Sequence, residues 1–562
     1  MAARSRRQVL SLGAAALVAL ALVSPASAAE ARFDWFEYRG HDPAGVTPLK
    51  PGEYRNPILR GFYPDPSLTR VGDDFYLVTS TFAYFPGLPV FHSRDLVNWT
   101  QIGNAIDRPD QLDFKDLGLS RGVFAPTISH RDGTFYILNT CVDCGGNYLI
   151  TAKDPSGPWS DPIWIKDVDG IDPSFFFDED GRTWLLNNGP PEGAPLYPGH
   201  RAIWIQEFDL AARKPIGPRK VLVNGGVDLS TKPIWIEGPH IFKRGGWYYL
   251  SCAEGGTAEG HSQVILRSRN VLGPYEPWSG NPILTQRGLP RGRPHPITSA
   301  GHAQLVQTAK GEWWASFLAT QPYAGDFYNT GRETFLLPVK WTDDGWPVIL
   351  PSGQAIPRTH RRPDLPPAPA GTPPEREEFD GKALGPEWMT IRNPRGPWYR
   401  LDAGTLVLEG AEPLGGSGHP AYAGRRQQHV NAEAATRVRF TPARGGDRAG
   451  LVALQSPDFF YALTVGREGG AMVVALERRA GPKAPVNGEV VATAPVPAGQ
   501  PVELKITARG GRYDFAYALA PGRWTTLAAD QDGTILSTKT AGGFVGATFG
   551  LYAYSPARPD GD

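Results

Sequence analysis

An all-β chain, a five-bladed β-propeller followed by a β-sandwich, is what three features of the 562-residue sequence predict. The composition is rich in turn formers and aromatics, with 66 Gly, 55 Pro, 16 Trp, 20 Tyr and 25 Phe against 3 Met, which suits short aromatic strands and disfavours a helical bundle. One strand-turn-strand pattern recurs five times between Asp65 and Trp314. A proline-dense stretch then separates this array from a region of short runs with alternating polarity.

The N-terminus comes first in the chain. Residues 1–28 carry Arg4, Arg6 and Arg7, an apolar stretch from Val9 to Val23 and the small-residue site Ala26-Ser27-Ala28, the layout of a cleaved export signal. Ser5-Arg6-Arg7-Gln8-Val9-Leu10 suits a twin-arginine route, with a general secretory route left open. No later segment approaches the ~20 apolar residues a membrane span needs, so a secreted or periplasmic protein without an anchor is expected. Charge balances at 57 Lys+Arg and 57 Asp+Glu, which argues against a nucleic acid or an anionic membrane as partner. Cys141, Cys144 and Cys252 are too few for a disulfide framework. Cys141-Val142-Asp143-Cys144 reads as a loop cystine or two idle thiols, and a zinc site lacks ligands.

The predicted propeller spans residues 50–350. Its five copies start at Asp65-Pro66-Ser67-Leu68, Ala125-Pro126-Thr127-Ile128, Asp172-Pro173-Ser174-Phe175, Gly238-Pro239-His240-Ile241 and His302-Ala303-Gln304-Leu305. Each leads through a glycine turn to an aromatic strand, and the spacing leaves room for two more strands, which makes one blade. Radial blades bring their first strands to a common axis, so equivalent positions face one another. Asp65, Asp172, Glu237 and His302 are therefore expected to converge, with Ala125 at the remaining position. Taken singly, an Asp-Pro or Glu-Gly-Pro merely opens a strand or caps a turn. Their shared register points instead to a functional carboxylate cluster.

No glycine-rich phosphate loop, serine elbow or His-x3-His pair offers another chemistry. Glycosidic cleavage needs one carboxylic acid to protonate the leaving oxygen and one carboxylate to activate water or attack carbon, and a third acid beside the donor raises its pKa. Phe82, Tyr84, Phe85 and Phe124 are candidate sugar-stacking aromatics, with packing between blades as the alternative for each.

The segments Gly61-Phe62-Tyr63-Pro64-Asp65-Pro66-Ser67, Gly170-Ile171-Asp172-Pro173-Ser174 and Ile236-Glu237-Gly238-Pro239 together resemble glycoside hydrolase family 43. Thr79–Phe82, Phe85-Pro86-Gly87, Ser93–Trp99 and Glu254–Thr257 further resemble its β-xylosidase and α-L-arabinofuranosidase branch. The resemblance implies a five-bladed propeller and hydrolysis with inversion. It implies Asp65 as general base, Glu237 as general acid and Asp172 as the residue that raises and orients the acid. His302 matches a family histidine that holds water or, in some members, a metal, against a structural bridge between blades. Arg332 resembles an arginine that reaches the substrate or the carboxylates, and Thr257 is placed as a sugar-hydroxyl partner. No cofactor is required on this resemblance, and a structural ion such as calcium near His302 is admitted. Phe124 stands where the family's xylosidases usually show Trp, which leaves the choice between xyloside and arabinofuranoside open.

Residues 351–375 are dense in proline and read as a semi-rigid linker. Runs such as Thr405–Leu408 and Thr436–Phe440 in residues 376–562 alternate as an antiparallel sandwich does. The region resembles the concanavalin-like domain of these xylosidases. Gly542-Gly543-Phe544 matches a loop that reaches the active-site rim, so Phe544 is a wall of the sugar pocket or a core residue. An autonomous polysaccharide-binding module is the other reading. The expected activity is an inverting exo-hydrolase releasing β-D-xylose from xylo-oligosaccharide or arabinoxylan. An α-L-arabinofuranosidase and a non-catalytic carbohydrate-binding protein are the alternatives.

Overall fold

The structure is a computed structural model that describes residues 29–42, 47–371 and 373–556; the export signal expected at residues 1–28 lies outside the described residues. Five antiparallel blades make the propeller, each with four strands from one continuous stretch of chain, 67–106, 127–164, 171–224, 237–277 and 298–348; Gly122–Val123 adds a fifth strand to the second blade and Leu284–Thr285 to the fourth. The repeat has a physical role at the axis. In three of the five copies the residue after the proline carries a hydroxyl that reaches across to another blade. Thr127 Oγ1 donates to the Pro173 carbonyl at 2.7 Å and Ser174 Oγ to the Pro239 carbonyl at 2.5 Å. Ser67 Oγ accepts from the Ile128 amide and donates to Gln304 Oε1 at 2.6 Å, which joins the first blade to both the second and the fifth and closes the ring. The N-terminal side adds to the closure, where Tyr54 Oη and Asn56 Nδ2 both donate to the Leu336 carbonyl.

The second domain is a sandwich of an eight-stranded and a six-stranded sheet, with Leu451, Leu463, Leu476, Leu504 and Ile506 in the core between them. Its eight-stranded sheet contains a strand the sequence reading left unassigned. Glu30–His41, from the start of the described chain, pairs with Leu406–Glu409 on one side and Asn431–Phe440 on the other. Ala31 and Phe33 point into the sandwich core and are fully buried.

The proline-dense segment is not a free spacer. Asp95 Oδ2 accepts from the Ala368 amide and pairs with Arg362, and the Gly371 amide donates to Thr100 Oγ1, so the segment lies along the first blade. Strand Tyr84–Phe85 pairs with Thr390–Ile391 of the sandwich. Tyr84 is fully buried against Phe62, so these two aromatics hold the domains together and do not form a sugar platform.

Candidate functional site

The first strand of three blades is interrupted where the repeat begins. Pairing shifts register between Ile171 and Ser174, between Glu237 and His240, and between Gly301 and Gln304. Proline has no N–H to keep the ladder, and a bulge there rotates the preceding residue out of the sheet. Asp65, Asp172 and His302 take left-handed φ values of 56°, 54° and 51°. In the Glu237 blade the left-handed residue is Gly238, at 56°, where a Cβ would come within 3.0 Å of the His302 ring. Strain of this kind persists when surrounding structure holds it, and it aims the side chains at the axis.

These side chains meet at one cavity of about 460 Å³. Nine of the residues singled out above border it, Asp65, Asp172 and Glu237, then Phe82, Phe124, Thr257, His302, Arg332 and Phe544, whereas Tyr84 and Phe85 do not. Ala125 also lines it, so the second blade leaves an apolar gap where others present an acid or histidine.

Asp65 is 5% exposed and accepts from Ser80 Oγ at 2.6 Å and from Arg332 Nη1 at 3.1 Å, with His302 Nδ1 at 4.0 Å. Burial pushes its pKa up, but Arg332, His302 and the Ser80 hydroxyl outweigh that and hold it below the usual carboxylate range. Glu237 has no such partner. Burial, then the charges of Asp172 and Asp65, push its pKa well up, against weaker opposing effects of Arg332 and Arg201. Burial also raises Asp172 to about 6. Its Oδ2 accepts from the Gly238 amide at 3.1 Å, which ties it to the backbone next to Glu237. One wall thus holds an ionised carboxylate and the other a protonated one.

Arg332 is 5% exposed and lies beside two aromatic faces, with its guanidinium carbon 5.8 Å from the Phe82 ring and 5.4 Å from the Phe544 ring. Its Nε is buried with no hydrogen-bond partner among the described residues. Phe544 arrives from the sandwich, stacked on Phe82 at 5.8 Å, with its amide held by Ser120 Oγ at 2.8 Å. The domains approach closely beside it: a Cβ on Gly331, which has φ 72°, would lie 2.9 Å from Gly546. Glycine at both positions lets this loop and Arg332 share one wall.

Arg121, Val142, Ile171, Trp235 and Gly256 line the cavity and were missed by the sequence reading. Ile171 immediately precedes a repeat carboxylate and Trp235 lies two residues before one, so repeat register was a usable signal for them. Arg121 and Val142 occupy no repeat position.

His302 interacts with the imidazoles of His240 and His261, which burial pushes down to about 3 and about 4, and its Nδ1 lies 4.0 Å from Asp65 Oδ1. Among the described residues no group of three or more His, Cys, Asp or Glu is arranged to hold a metal.

Residues 54–347 match the family model described as glycosyl hydrolases family 43, and residues 376–561 match the beta xylosidase C-terminal concanavalin A-like domain. A xylosidase/arabinosidase from Butyrivibrio fibrisolvens is 38% identical over 512 residues, 90% of this chain and 96% of the relative. A non-reducing end alpha-L-arabinofuranosidase from Bacteroides ovatus is 38% identical over 509 residues, 89% of this chain and 91% of the relative. The crystal structure of a GH43_12 retrieved from capybara gut metagenome superposes with a TM-score of 0.85 at 40% identity, covering 94% of this chain and all of that one.

Proposed function

The chain belongs to glycosyl hydrolase family 43, and from that premise we propose that it is an inverting exo-acting β-D-xylosidase that trims xylo-oligosaccharide or arabinoxylan from the non-reducing end. The observation that carries this reading is the opposed poise of two carboxyls on one cavity, Asp65 held ionised by Arg332 and Glu237 held protonated by burial and Asp172. The terminal pentose sits at the cavity floor. Asp65 takes a proton from a water molecule as that water attacks the anomeric carbon. Glu237 gives its proton to the departing glycosidic oxygen. Asp172 keeps Glu237 protonated until then and fixes the neighbouring backbone through Gly238. Inversion calls for about 6.5 to 9.5 Å between acid and base, room for the water. Phe82 and Phe544, stacked on each other, give the sugar one apolar wall. No step calls for a metal.

Names of relatives support the pentoside class and divide between the two pentoses, and Phe124 in place of a broader indole favours α-L-arabinofuranoside as the second reading. Export is supported by the disulfide between Cys141 and Cys144, which suits an oxidising compartment. No helix among the described residues is long and apolar enough to cross a membrane. Parallel assays on nitrophenyl β-D-xyloside and α-L-arabinofuranoside decide the pentose. Proton NMR of the first turnover product decides the stereochemistry: α-D-xylose is expected, and β-D-xylose as the initial product overturns inversion.

A further inference from the structure

The rim segment from Ser120 to Phe124 is fixed on three sides. Ser120 holds the Phe544 amide, Val123 exchanges backbone hydrogen bonds with Phe82, and strand Gly122–Val123 pairs with Cys141 and Val142. Arg121 is the one long polar side chain this segment turns towards the cavity mouth. Its Nε donates to Asp143 Oδ2 at 2.6 Å, and its guanidinium lies 5.8 Å from the Phe124 ring. Asp143 sits at the tip of a turn that the Cys141–Cys144 disulfide closes, with φ 64° and the Cys144 amide donating to the Cys141 carbonyl. Val142 of the same turn lines the cavity. Ordering a long arginine at a half-open rim costs side-chain entropy. Here a short covalent loop holds the partner that orders it.

We propose that Arg121, steadied by Asp143 on the disulfide-closed turn, is a specificity-determining residue that donates to hydroxyls of the sugar on the leaving-group side of the scissile bond. The three carboxyls are buried at the floor, whereas the Arg121 side chain is 43% exposed at the mouth, where the second sugar of a chain cleaved from its end projects. Nη1 and Nη2 make no hydrogen bond among the described residues, which leaves a planar fork of donors facing outward beside an aromatic ring. Asp143 cancels the charge locally, so the pair suits neutral hydroxyls and not a carboxylate. This inference rests on the exo-glycosidase reading above.

The test compares kcat/KM on xylobiose with that on nitrophenyl β-D-xyloside, whose leaving group has no hydroxyls to read, in the full chain. Arg121→Ala is expected to lower the xylobiose-to-aryl ratio about fivefold or more, the loss of one or two hydrogen bonds of about 1 kcal/mol each. Asp143→Asn, Cys144→Ser and wild type treated with dithiothreitol are expected to lower it in the same direction by less. Arg121→Lys, which keeps a charge without the fork, falls between, and it supplies the reading if the alanine variant is poorly folded. A ratio within about twofold of wild type in both Arg121 variants overturns the proposal. If wild type leaves xylobiose intact and cleaves arabinobiose, the pentose assignment fails. The same ratio is then taken on arabinobiose against the aryl arabinofuranoside, and the Arg121 variants decide this inference there.

Discussion

Replacing Arg332 by alanine tests the poise of the site at its base. Arg332 Nη1 and Asp65 Oδ1 are 3.1 Å apart, with side chains 6% and 7% exposed. At an effective dielectric near 20 that separation corresponds to a gross attraction of about 5 kcal/mol. Removing one partner of a buried pair typically costs about 3 to 5 kcal/mol, because the remaining charge is uncompensated. Ser80 and His302 still face Asp65, so the lower end, about 3 kcal/mol, is expected, or about two decades in kcat/KM if it falls on the transition state. Burial alone pushes the Asp65 pKa up, and Arg332 is the strongest influence holding it down. Its loss therefore moves the acid limb of the kcat/KM profile to higher pH. The stability effect has the matching sign. A depressed carboxylate stabilises the fold above its unfolded pKa and loses that contribution as pH falls through its folded value. The gap in Tm between wild type and Arg332→Ala should thus be widest near neutrality and close in acid. Arg332→Lys restores the charge without the planar guanidinium and should return the acid limb most of the way. The assay is the pH dependence of kcat/KM on an aryl xyloside for the three proteins. An acid limb that stays in place in Arg332→Ala refutes the reasoning, whatever the loss in rate.

Glu237→Ala removes a proton donor of a kind worth about a hundredfold to ten-thousandfold, so kcat/KM on xylobiose should collapse by that order while a dinitrophenyl xyloside, whose leaving group needs no proton, is largely spared; equal losses on both contradict the assignment. Asp172→Asn removes a charge that, after burial, raises the Glu237 pKa, so the alkaline limb should move to lower pH. The same variant should have a higher Tm at neutral pH, because burial holds Asp172 at about 6 and a carboxyl raised in the fold costs stability as pH rises past its unfolded value; calorimetry checks this. Phe544→Ala deletes a ring stacked at 5.8 Å on Phe82 and 5.4 Å from the Arg332 guanidinium carbon, contacts together worth about 1 to 2 kcal/mol, so Tm should fall, and because the ring also lines the cavity KM should rise with it; calorimetry and initial rates check the pair.

The axial residues were legible in the sequence because propeller geometry converts a repeat into a place. Asp65, Asp172, Glu237 and His302 share a register, and left-handed backbone at Asp65, Asp172, Gly238 and His302, with bulges in the last three of these blades, sends that register to the channel. Phe544 was legible only through the family resemblance, since nothing local in Gly542-Gly543-Phe544 says which domain it faces. Arg121 was not legible at all: its partner Asp143 is far along the chain, and its position depends on Gly122 lying against the Phe82 carbonyl, which no pattern records. Tyr84 and Phe85 misled because aromatic character near a carboxylate motif does not reveal the side of the blade, and theirs faces the sandwich. The strand Glu30–His41 alternates well enough, yet its pairing partners are some four hundred residues distant, and strand periodicity carries no information about partners.

That strand sets an order of assembly. On a ribosome it emerges before any of its neighbours and must wait, unpaired, while the whole propeller is synthesised, since Leu406–Glu409 and Asn431–Phe440 come later. A fragment cut at residue 376 would carry a slot in the middle of its larger sheet, open on both edges, and a synthetic peptide of residues 29–42 should fill it. Two segments from either side of the propeller are thus stitched into one seam, and removing the earlier one opens it.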